Sequence, residues 1–151
     1  MDDLDDVMTP FLLMRTFRAM VDAVHADLAE KGFPGIRAQH GFALQAIGEG
    51  CTSVQLGERL GVSKQAATKT AHSLEDMGLI RRERGVHDRR EWRLMVSSRG
   101  RRVLQQSADG FRRVVGSWRD QVGDASVDTT LKTLAAVGAG GRTDTDLSDW
   151  S

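Results

Sequence analysis

Between Ser63 and His72 the chain gathers side chains that donate hydrogen bonds. Ser63, Lys64, Gln65, Thr68, Lys69 and His72 supply two hydroxyls, two amines, an amide and an imidazole. No acid follows until the Glu75-Asp76 pair. Groups of these types bond to phosphate oxygens and to base edges in a duplex groove. A second set, Arg81, Arg82, Arg84, Arg89, Arg90 and Arg93, brackets the short stretch Gly85-Val86-His87. Guanidinium groups around a loop tip suit a minor groove, where negative potential is concentrated. The 21 basic and 21 acidic residues cancel overall, yet they are segregated. Residues 1–31 carry 7 acids and 3 bases, and residues 120–151 carry 6 acids and 2 bases, a balance of −4 in each. Residues 63–102 carry 11 bases and 5 acids, a balance of +6. A basic middle between acidic ends is the footprint of a nucleic-acid partner, hidden by the overall neutrality. A solvated arginine-rich face would leave the same tally.

Other chemistry finds less support. One cysteine, Cys51, excludes an intramolecular disulfide and any multi-cysteine metal cluster. It stands between Gly50 and Thr52 with no base close in sequence to lower its pKa, so it reads as structural, with a redox sensor as the alternative. His25, His40, His72 and His87 show no i, i+4 pair, so no metal site is expected. His40, near the start of a helix, lines an effector cleft or is a satisfied half-buried side chain. No G-x-S-x-G and no phosphate-cradling glycine loop occurs. The acidic group Asp2, Asp3, Asp5 and Asp6 precedes any expected element and reads as solvated. Neither an enzyme nor a cofactor is expected. No apolar run approaches the roughly 20 residues that span a bilayer. The acidic start lacks the basic and apolar parts of a secretory signal, so a cytoplasmic protein with no membrane partner is expected.

The elements that must position these groups are mostly helical. Thr9 as cap and Pro10 at the first helical position open a long helix, with Phe11, Met14, Phe17, Val21, Val24 and Leu28 at helical spacing. Gly32, Pro34 and Gly35 end it. A second helix runs from Arg37 to Ile47, and Cys51 follows in a short extended link. Thr52 and Gln55 have capping-box spacing, so a third helix starts there, anchored by Val54, Leu56 and Leu60. Gly61 permits a tight turn, and Ser63 caps a fourth helix whose Ala67, Ala71, Leu74 and Met77 form a buried stripe. Two short helices, a glycine turn and small alanines make a helix-turn-helix. Its outward face is the donor set from Ser63 to His72. Leu79-Ile80 then opens a strand, and Glu91 to Val96 alternates like a returning one, which makes a β-hairpin wing. Ser97 caps a long helix with Val103, Leu104, Ser107, Phe111, Val114, Trp118 and Val122 as its stripe. A last helix spans about Val127–Val137, and a polar tail reads as mobile. The terminal stripes exceed what a compact winged helix buries, and a symmetric dimer would cover them.

In this order the elements resemble the MarR family of bacterial winged-helix transcription regulators over residues 10–137. The resemblance rests on four stretches: Leu56-Gly57-Glu58-Arg59-Leu60-Gly61-Val62-Ser63-Lys64-Gln65-Ala66-Ala67, Leu74-Glu75-Asp76-Met77-Gly78-Leu79-Ile80, Asp88-Arg89-Arg90, and Val96-Ser97-Ser98-Arg99-Gly100. It implies a mainly α fold with a small β-hairpin wing. Residues 1–36 are an N-terminal dimerisation helix, 37–97 the winged helix-turn-helix domain, 98–137 C-terminal dimerisation helices and 138–151 a disordered tail. It implies a homodimer on a palindromic double-stranded operator, acting as a repressor until a small-molecule effector weakens binding. Carried over by position, the Ser63–Met77 helix enters the major groove, and Asp88 holds Arg90 for the minor groove. DNA contacts are therefore expected from Ser63, Lys64, Gln65, Thr68, Lys69, His72, Arg84, Asp88, Arg89 and Arg90, and His40 is the effector candidate. Two departures stand out. Gly85-Val86-His87 replaces the proline and aspartate that often precede the wing motif, so a more mobile wing is expected. No tyrosine occurs, which excludes a phenol-hydroxyl-lined effector pocket and leaves an apolar or arginine-lined one. A winged-helix interaction module that does not bind DNA is the other reading.

Overall fold

The computed structural model describes residues 5–139. Six helices and one hairpin follow in the order α1 (Thr9–Glu30), α2 (Ala38–Ile47), α3 (Ser53–Leu60), α4 (Lys64–Asp76), β1 (Ile80–Arg84), β2 (Trp92–Val96), α5 (Ser98–Val122) and α6 (Asp124–Gly138). The expected fold class, mainly α with a β-hairpin, is what the chain adopts.

Most helix starts follow local chemistry. Thr52 and Gln55 exchange side-chain and backbone bonds of 3.0 and 3.2 Å at the start of α3. The Ser63 hydroxyl accepts from the Ala66 N–H at 3.1 Å, and the Ser97 hydroxyl from the Gly100 N–H at 3.0 Å. Each satisfies a donor that the first turn leaves without a partner. The α1 start differs from expectation. Thr9 is already helical, at φ −50° and ψ −53°, so its side chain does not cap. A 3-10 turn, Asp6–Met8, leads in instead, with the Asp5 carboxylate accepting from Val7. Asp5 and Asp6 therefore belong to an ordered element. Asp2, Asp3 and the expected tail from residue 140 onward lie outside the described residues.

The hairpin is antiparallel, with Ile80 opposite Val96 and Arg84 opposite Trp92. Cys51 adds one rung, since its N–H and C=O bond to Leu94 at 3.1 and 2.7 Å. One core joins these parts. Val24 and Leu28 of α1, Leu44 and Ile47 of α2, Leu56 of α3, Leu74 of α4, Leu94 of β2 and Val103 of α5 are all buried in it. A fully buried side chain of this kind contributes about 1.5–3 kcal/mol. Phe17 stacks on Phe42, with ring centroids 6.3 Å apart, and so ties α1 to α2. Val54 does not serve as an anchor; it is 47% exposed. Two positions before Leu56, it falls on the opposite side of α3, because helix residues i and i+2 do not face together. Among the described residues, no helix is long and apolar enough to cross a membrane.

Candidate nucleic-acid interface

α3 and α4 meet through Gly61-Val62-Ser63. Gly61 takes the left-handed conformation, φ +69°, that a residue with a Cβ adopts reluctantly. The Val62 N–H closes the turn on the Gly57 carbonyl at 2.9 Å. Ala67, Ala71 and Leu74 turn α4 inward, and their spacing leaves the other side to solvent. Lys64, Gln65, Lys69 and His72 are exposed there, with Thr68 half-buried beside them. Among the described residues, neither Lys64 nor Lys69 enters an ion pair. The Ser63 hydroxyl accepts the cap bond, and the residue is exposed.

The far end of α4 is tied to the hairpin by a residue that the sequence reading counted only among the arginines around the loop tip. Arg82 of β1 donates to Glu75 at 2.7 Å, and its Nη2 lies 3.4 Å from His72 Nδ1. His72 is thus exposed but already has a neighbour. Seven positions separate Arg82 from Glu75, and no helical or strand periodicity brings them together. Only the turn between α4 and β1 does so.

The wing loop, which lacks the proline, is closed by hydrogen bonds. The Gly85 N–H donates to the Glu91 carbonyl at 2.9 Å, and the Glu91 N–H to the Asp88 carbonyl at 3.1 Å. A Cβ on Gly85 would collide with that Asp88 carbonyl, so the loop closes only over glycine. Asp88 Oδ1 accepts from the Arg90 backbone N–H at 2.9 Å and from its Nε at 3.3 Å. The Arg90 side chain is nevertheless 93% exposed. Arg84 sits with its guanidinium carbon 4.0 Å from the centroid of the Trp92 ring and donates to the Arg89 carbonyl at 2.9 Å. Arg89 and Arg90 are exposed at the tip.

His40 lies apart from this surface and is only 4% exposed. Its Nδ1 accepts from the Arg37 N–H at 3.0 Å, which leaves the ring proton on Nε2, 3.0 Å from the Ser73 hydroxyl of α4. Both ring nitrogens therefore have protein partners. Burial, then Arg37 and His25, push its pKa down. Cys51 is fully buried, and that burial pushes its thiol pKa up against the opposing pull of Arg59 and Arg93. A reactive thiol has the opposite character, exposed and easily ionised. Among the described residues, no group of three His, Cys, Asp or Glu side chains is placed to hold a metal ion.

This is the geometry of a winged helix-turn-helix, and comparison with known proteins finds the same architecture elsewhere. The MarR family model matches residues 42–91, from within α2 to the end of the wing loop. The resemblance read from the sequence is thereby shown, and the fold is that of a MarR-type transcription regulator. Solved structures agree on the fold along most of the chain. FabT of Streptococcus pneumoniae, crystallised in complex with DNA, is 20% identical with a TM-score of 0.74, over 97% of this chain and 100% of that one. RV1404 of Mycobacterium tuberculosis is 24% identical with a TM-score of 0.74, over 90% and 92%. CouR of Rhodococcus jostii RHA1, crystallised with p-coumaroyl-CoA, is 23% identical with a TM-score of 0.61, over 88% and 92%. No curated protein matches the sequence.

Proposed function

We propose that the protein is a dimeric, sequence-specific double-stranded DNA-binding regulator that represses transcription until a small-molecule effector releases it. The observation that carries this reading is the pairing of two exposed cationic surfaces: the Lys64–Lys69 face of α4 and the wing tip with its exposed Arg90. α4 enters the major groove, where Gln65 pairs with adenine, Thr68 meets a thymine methyl, and Lys69 reaches guanine or a phosphate. Ser63, Lys64 and His72 take phosphates. Arg90, held by Asp88, and Arg89 enter the adjoining minor groove. The DNA complex of FabT, which shares the fold, supports DNA as the partner.

The dimer is formed by residues 1–36 and 98–137 around the 37–97 DNA-binding domain. α6 buries only Val127, and Leu131, Leu134 and Val137 stay exposed with Val7, Met8, Phe11 and Leu13 at the other terminus. These are apolar surfaces that a second copy would cover. The effector is an apolar or anionic compound, a reading supported by CouR, a protein of like fold crystallised bound to p-coumaroyl-CoA. Buried Cys51 supports no redox trigger, and the protein acts as a binding protein, not an enzyme, at a cytoplasmic location. Selection of duplexes from a random-sequence pool tests the reading. An enriched inverted repeat with steeply salt-dependent affinity is the expected result. Absence of any enriched duplex would refute it.

A further inference from the structure

The peptide unit that joins Arg89 to Arg90 is held at both ends. Its N–H donates to the Asp88 carboxylate at 2.9 Å. Its carbonyl accepts from Arg84 Nη1, also at 2.9 Å. Arg84 can reach it because Arg84 and Trp92 face each other on the last rung of the hairpin. There the guanidinium lies on the indole, 4.0 Å from the ring centroid. Trp92 is 45% exposed, so the ring serves as a platform at the wing's base and not as part of the core. Fixing a peptide plane fixes the N–Cα axis of the next residue, so that only its φ is left to set where Cβ leaves. Here that residue is Arg90, whose side chain is 93% exposed.

We propose that Arg84 is a positioning residue of the wing and not itself a nucleic-acid contact. Seated on Trp92 and bound to the Arg89 carbonyl, it aims Arg90. The inference rests on the DNA-binding reading above. A flat cation that stacks on an indole while donating in its own plane must be arginine, because lysine offers a point charge and no plane. The clamp also replaces what a proline before the wing motif would otherwise supply, stiffness at the tip.

The test uses the full chain and the duplex most enriched by the wild-type protein from a random-sequence pool. Arg84→Lys keeps the charge and loses the stack, so it should weaken binding about as much as Arg84→Ala, roughly tenfold. Trp92→Leu should fall with them, and Trp92→Phe, which keeps an aromatic face, should stay within about threefold of wild type. In an Arg90→Ala background, Arg84→Ala should cost nothing more and leave the salt slope in place, because no side chain is left to aim. A phosphate-contacting Arg84 behaves otherwise. Lysine then retains most of the affinity, alanine lowers the salt slope by about one, and the loss adds to that of Arg90→Ala. That pattern overturns the proposal. A readout without DNA follows the clamp itself: the Arg84 side-chain protons should be shifted upfield by the indole ring current and should return in Trp92→Leu. Unshifted protons in the wild type also overturn it. If no duplex is enriched, the DNA-binding reading fails and this role with it, while the ring-current signature persists.

Discussion

His40 shows how one side chain can serve two helices at once. Its Nδ1 caps the start of α2, and its Nε2 holds Ser73 of α4. That arrangement accepts only the neutral ring, since a proton on Nδ1 would face the Arg37 N–H. Burial lowers the pKa below the ordinary 6.5, with Arg37 and His25 adding to it. His25, on α1, is lowered in the same direction by burial, against Asp22. In both cases the unfolded chain binds the proton more readily. Stability therefore rises with pH through the window just below 6.5 and is lost on acidification through it. Urea unfolding at neutral and mildly acidic pH should show the midpoint dropping as the pH is lowered. His40→Asn, whose amide oxygen can still accept from Arg37, should flatten that dependence, and an unaltered dependence would assign it elsewhere. At the same scale, Arg90→Ala should weaken duplex binding by about 1–3 kcal/mol, as for other groove contacts. Arg142→Ala, outside the described residues, should leave binding near wild type. Equal affinities of the two variants in a gel-shift titration would remove the wing from the mechanism.

The wing is the element on which sequence and structure diverge most. Its strands were legible, because Trp92, Leu94 and Val96 alternate and the arginines mark the turn. The closure of its loop was not. The loop closes through backbone bonds from Gly85 and Glu91 and through the Arg84–Trp92 contact, which depends on strand register and not on any local motif. Gly85→Ala should accordingly open the loop and reduce DNA binding. The melting temperature should change little, since the tip lies outside the core. A large drop in melting temperature with binding intact would reverse that account. The helices were legible for a different reason. Caps such as Thr52, Ser63 and Ser97 act within three residues, and buried stripes repeat at a fixed spacing. The misread ends, Thr9 and Asp5, mark a start where a 3-10 turn extends the helix backward, and Thr9 loses the extended backbone that a cap requires. Much of the proposed site, the donor face of α4, was legible from composition alone. Arg82, Ser73 and Trp92 were not, because their roles come from contacts between elements.

Across the whole molecule, the apolar stripe of α1 changes character along its length. Val21, Val24 and Leu28 are buried, Phe17 and Met14 are half-buried, and Phe11 is exposed, together with Met8 and Val7 before it. α6 repeats the trend at the other end, with Val127 buried and Leu131, Leu134 and Val137 open. Between them, α1, α5 and α6 line a groove of about 290 Å³ that includes Thr16, Trp118, Val122 and Leu131. One chain has nothing further to lay on these surfaces among the described residues, and two copies related by a two-fold axis can cover each other's. Sedimentation at micromolar concentration should therefore give a dimer. Leu131→Asp combined with Leu134→Asp should shift it toward monomer while the core around Leu74 and Leu94, on the far elements, stays folded. Loss of the dimer should have a specific consequence for DNA. Two α4 helices related by a two-fold axis read two inverted half-sites, about 10 base pairs apart from centre to centre. The wild type should enrich such a repeat from random duplexes, and the double variant should bind it no better than an isolated half-site. A wild-type monomer with folded α1 and α6, or an enriched site without inverted symmetry, would place recognition in the single chain and leave the terminal apolar surfaces to some other partner.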